Sequence, residues 1–100
     1  MSKLEAALEL ILDPKNWTTG TLGRDETDAP CVLNKACKFC ALGALWKIYV
    51  EITTDEYIID CKKLMLAGEK LFNQSSIARV NDSLGHESVV QMYQEAIACL

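Results

Sequence analysis

The sequence predicts an all-α fold, a compact bundle of about four helices in one domain over residues 1–100, with a short β-hairpin or ordered loop between the first two helices. Three observations predict it. Four segments repeat apolar residues at the 3.6 spacing of a core-facing helix, two of them open on a capping box, and only one stretch lacks periodicity. A chain of 100 residues is one domain that buries roughly two thirds of its unfolded surface.

The first helix follows from Ser2 and Glu5, a capping box, and from Leu4, Ala7, Leu8, Ile11 and Leu12 on one stripe until Asp13-Pro14 stops it. It is expected over residues 3–12. The second is expected over residues 37–50, with Phe39, Leu42, Trp46, Tyr49 and Val50 facing the core and Ala41, Gly43 and Ala44 admitting a close neighbour. Thr53 and Glu56 make a second capping box for the third and longest helix, where Tyr57, Cys61, Leu64 and Leu71 share a face beside Ile58, Met65 and Phe72. Residues 75–80 are read as a short helical turn, and Asn81-Asp82-Ser83-Leu84-Gly85 as a turn. The last helix is expected over residues 86–100, carrying Val89, Met92, Tyr93, Ala96, Ile97 and Leu100.

Residues 16–34 are the irregular stretch. Residues 18–22 and 30–33, around Asp25-Glu26-Thr27-Asp28, would pair as a hairpin. A connection of this length inside a small domain is either packed or functional.

Composition narrows the function. A net charge of -4 with ten scattered basic residues speaks against direct nucleic-acid binding, which needs clustered Lys and Arg. The same acidity suits a basic protein partner. No apolar run reaches the roughly 20 residues of a membrane span, and Glu5 and Glu9 interrupt the first apolar segment as a secretory signal would not allow. Five cysteines, an odd number, then read as reduced thiols in a bacterial or infected-cell cytoplasm.

Trp17-Thr18-Thr19-Gly20, Arg24-Asp25, Cys40-Ala41-Leu42-Gly43-Ala44-Leu45 and Asn81-Asp82 occur in that order. The chain thereby resembles an uncharacterised family of small bacterial and phage proteins with the pattern W-T-x-G, R-D, C-A-x-G-A-L, N-D, over about residues 4–98. The family carries no activity across. What the resemblance implies is an accessory protein of phage or mobile-element type.

Two groups of residues are candidates for chemistry. Cys37-Lys38-Phe39-Cys40 is a C-x-x-C that, with Cys31 and His86, would complete a zinc site, but a lone pair without a second one fixes no ligand set, so no metal or other cofactor is expected. Cys40 near a helix start, His86, the single histidine, and Asp82 would suit a thiol nucleophile with its base and orienting group. Trp17, Arg24 and Asp25 on the irregular stretch, with Asn81, Asp82 and His86, form the binding candidate: a flat ring, a guanidinium fork and polar groups on loops. The expected function is a non-enzymatic interaction module, a monomer or small homo-oligomer, that binds a host protein, such as a defence complex it inhibits, or a small ligand. The alternative is a small cysteine-dependent enzyme using Cys40 and His86.

Overall fold

Ser2 begins the first helix as its box requires. Its Oγ accepts from the Glu5 N–H and its own N–H donates to Glu5 Oε1, each at 3.1 Å. The computed structural model describes residues 2–51 and 53–98, and in it α1 spans Lys3–Ile11. Leu4, Ala7 and Ile11 enter the core, while Leu12, expected with them, caps the helix and is 52% exposed. Asp13 then caps a 3-10 turn, Pro14–Asn16, since proline is favoured in the first turn of a helix and cannot continue one.

The irregular stretch is packed, but not in the expected hairpin. The Asp25 carboxylate accepts from the N–H groups of Thr27 and Ala29 and closes the turn, and Arg24 bridges to Pro30. The strand pair itself is β1, Gly23–Arg24, with β2, Lys38–Phe39, antiparallel, Gly23 opposite Phe39 and Arg24 opposite Lys38. A second 3-10 turn, Leu33–Lys35, lies between them.

This pairing corrects the start of the second helix. The Cys37 and Cys40 N–H groups donate to the carbonyls of Arg24 and Leu22, and the Phe39 carbonyl accepts from Thr18. Residues 37–39 are therefore extended, and α2 runs only over Ala41–Tyr49 with Cys40 as N-cap. Its small residues are the buried ones: Ala41, Gly43 and Ala44, with Leu45. Trp46 and Val50, expected on the core stripe, lie at the periphery, where both line a shallow groove with Leu33. A Cβ on Gly43 would stand 2.0 Å from the Leu22 carbonyl oxygen, so the irregular stretch crosses directly over α2.

The third helix, α3, spans Asp55–Phe72 and is capped by Thr54, one residue later than the expected box. That register places Asp55 and Glu56 in the first turn, where the helix dipole favours them. Tyr57, Leu64, Ala67 and Gly68 are buried, whereas Ile58, Met65 and Leu71 are each more than 40% exposed. The buried face is set by Gly68, against whose backbone the Gln74 carbonyl and the Val80 side chain pack. A one-turn helix α4, Ile77–Arg79, runs into a π-helical turn, Val80–Leu84, where a simple turn was expected. Gly85, at φ 95, ends it, and α5, His86–Ala98, closes the core with Val89, Met92, Tyr93 and Ala96. Leu100, expected on this stripe, lies outside the described residues.

Candidate functional site

The π-helical turn determines which way two adjacent side chains point. Asn81 turns inward and is 1% exposed, while Asp82 stays at the surface. Single π-helical turns of this kind recur at functional sites.

Asn81 uses its whole hydrogen-bonding capacity. Oδ1 accepts from the Trp17 indole at 2.7 Å and from the Ala41 N–H at 2.9 Å. Nδ2 donates to the Thr18 carbonyl at 3.0 Å and to Asp82 Oδ1 at 2.9 Å. The same Asp82 oxygen accepts from the Gly20 N–H at 3.2 Å. One amide thus joins the irregular stretch, the first turn of α2 and the π-helical turn. The Ala41 carbonyl in turn accepts from the buried Tyr93 hydroxyl at 2.6 Å, which adds α5.

Arg24 fastens the irregular stretch to itself. Its guanidinium donates to Thr18 Oγ1 at 2.8 Å and to the carbonyls of Asp28 and Thr19 at 3.0 and 3.1 Å. Asp25 is held by its turn, and the donors from Thr27 and Ala29 lower its carboxyl pKa. His86 Nε2–H donates to the Ile11 carbonyl at 2.7 Å, and the ring meets Trp17 edge to face at 5.4 Å. Trp17, Arg24, Asn81, Asp82 and His86 therefore form one neighbourhood, and most of their polar atoms hold the fold.

Cys40 sits in that neighbourhood as a cap. Its Sγ accepts from the Gly43 N–H at 3.2 Å, and burial raises the thiol pKa above its ordinary 9.0, so the sulfur stays protonated near neutral pH. The His86 nitrogen facing Ile11 is fixed as a donor, and no hydrogen bond joins Cys40 to His86 among the described residues. Cys31 and Cys37 sit on the two chain segments that flank β1. Among the described residues, no three His, Cys, Asp or Glu side chains converge as a metal site would require.

A cleft of about 220 Å³ opens next to the Asn81 network, lined by Gly20, Thr21, Leu22, Cys40, Leu42, Ala78, Asn81 and Asp82. Its walls are largely apolar, with the Asp82 carboxylate as the charged group. Cys40, Asn81 and Asp82 were legible as candidates. Leu42 stands inside a motif word but reads as a core residue, and Leu22 and Ala78 carry no signal beyond lying a few residues from such words. Trp17, Arg24, Asp25 and His86 shape this end of the molecule without lining the cleft.

Among the described residues, no helix is long and apolar enough to cross a membrane. Residues 2–98 match the model of a family of unknown function (DUF6197), and the chain belongs to it. No curated protein and no solved structure matches the chain.

Proposed function

We propose that this member of a family of unknown function is a non-enzymatic interaction module of phage or mobile-element type, acting in the cytoplasm on a host protein. The observation that carries the reading is the cleft beside Asn81. Its walls are held by hydrogen bonds that join three separate segments, and a pre-organised concave surface binds without the cost of ordering itself. Burial of the Cys40 thiol and engagement of His86 by Ile11 favour binding over thiol chemistry. The net charge of -4 suits a basic host surface, such as the nucleic-acid face of a defence complex.

The test is capture from host lysate by the immobilised full chain, comparing wild type with Asp82→Asn. The amide keeps an acceptor for Gly20 and Asn81 while removing the charge. Loss of a specifically captured protein with an unchanged melting temperature supports the cleft as the contact. Equal capture by both proteins places the contact elsewhere.

A further inference from the structure

Helix α1 buries one face and leaves a second, mixed face partly open, where Leu8 packs at the edge of the core between two glutamates. Leu4, Ala7 and Ile11 are buried. Glu5, Leu8, Glu9 and Leu12 recur at i, i+3, i+4 and i+7 and so form a second face. Together with Ile97 and Ala98 of α5 they line a groove of about 460 Å³, about twice the volume of the cleft beside Asn81. Leu12 is 52% exposed there.

We propose that this groove is a docking surface for an amphipathic helix of a partner protein, whose apolar stripe is flanked by lysine or arginine. The floor sets Leu8 and Leu12 one helical turn apart beside Ile97 of α5, an apolar strip that can receive the i, i+3, i+4 and i+7 side chains of a bound helix. The charged groups of the groove, Glu5 and Glu9, are both carboxylates on α1. Lys3, the nearest cation of the same helix, points to another face, with its ammonium 4.7 Å from the centre of the Tyr49 ring. Lysine or arginine stems can lie along the leucines while their charged ends reach the glutamates. A second copy of the chain would bring carboxylates against carboxylates, and an anionic membrane would meet the same repulsion. The inference is independent of the cleft and of Asp82.

The test uses three synthetic peptides: a helical one with leucines at i, i+3, i+4 and i+7 flanked by lysines, the same peptide with glutamates for lysines, and a scramble of the first. Each is titrated into the full chain and followed by amide chemical shifts. The basic amphipathic peptide is expected to shift Leu8, Glu9, Leu12 and Ile97 and to bind at least about tenfold more tightly than either control. Its affinity should fall several-fold between roughly 50 and 300 mM salt. Leu12→Asp should abolish binding in a protein that still melts cooperatively. Glu5→Gln with Glu9→Gln, which preserves the cap because glutamine also serves there, should remove most of the salt dependence. Equal binding of the scramble or of the acidic peptide overturns the proposal. So do shifts centred on the exposed residues Ile59 and Leu66 of α3, or self-association through the same residues.

Discussion

The Trp17 indole N–H donates to Asn81 Oδ1 at 2.7 Å, across 64 positions of sequence. Because the same oxygen also accepts from the Ala41 N–H, the tryptophan, the start of α2 and the π-helical turn are located relative to one another by a single atom. The ordered words of the family pattern, W-T-x-G, C-A-x-G and N-D, therefore meet in one network. Their first role is to seat a long irregular connection on a small bundle.

Asn81→Ala should be among the most damaging single substitutions in the chain. It leaves the buried Ala41 N–H and the half-buried Trp17 indole and Thr18 carbonyl without their partner, and a polar group left unpaired away from water costs about 1–3 kcal/mol. A loss of at least about 3 kcal/mol in urea unfolding is expected. A loss below about 1 kcal/mol would show that water replaces the amide.

Gly43→Ala should reverse the usual sign of its substitution. Alanine in a helix interior normally stabilises by about 1 kcal/mol over glycine. Here the added carbon would lie 2.0 Å from the Leu22 carbonyl oxygen, so backbone must move. Denaturant melts should show a net loss, and a gain would mean that the irregular stretch does not cross α2 this closely.

The ends of elements show what was readable in the sequence. The Ser2 and Glu5 box formed as read, because both partners lie within one turn. The start of α2 was misread because apolar spacing continues through Phe39, while the pairing that makes residues 37–39 extended involves Leu22 and Arg24, which local periodicity does not report. The cap of α3 was misplaced by one residue because Thr53 and Thr54 are both good caps. The motif words around Trp17, Ala41 and Asn81 converge on one network. Their use as a staple was hidden because hydrogen bonds between distant segments leave no pattern in one sequence.

The two tryptophans should rank opposite to their helical pattern. The sequence places Trp46 on a core stripe, where removal costs about 3–5 kcal/mol and Trp17→Ala costs less. In the structure Trp17 packs against the core and bonds to Asn81, while Trp46 is half-buried beside Val50. Trp17→Ala should therefore cost about 3 kcal/mol and Trp46→Ala about 1–2 kcal/mol. Urea melts of the two variants give the order.

Stability should fall on the alkaline side. Burial raises the Cys40 thiol above 9.0 and the Tyr93 hydroxyl well above 10.0 in the folded chain. Both groups stay protonated in the fold at pH values where the unfolded chain has lost the proton, so unfolding releases protons there. Their contribution is complete below about pH 9, the ordinary thiol value, and is lost as pH rises beyond it. Cys40→Ala should flatten the first part of this decline in a series of urea melts. The exposed Cys37 should react with an alkylating reagent well before Cys40.

Arg24 separates the staple from recognition. Its three hydrogen bonds, to Thr18 Oγ1 and the carbonyls of Asp28 and Thr19, need a planar fork that reaches in several directions. Lysine keeps the charge and loses that geometry. If Arg24 contributed only a positive field to a bound anion, Arg24→Lys would preserve both stability and binding. The structure instead makes it the brace of residues 18–28, so Arg24→Lys should cost about 1–2 kcal/mol and speed amide exchange of the Asp28 and Ala29 N–H groups, which the braced turn protects. Partner capture per folded molecule should stay unchanged, because Arg24 does not line the cleft. Unaltered exchange together with lost capture would show that the guanidinium itself meets the partner.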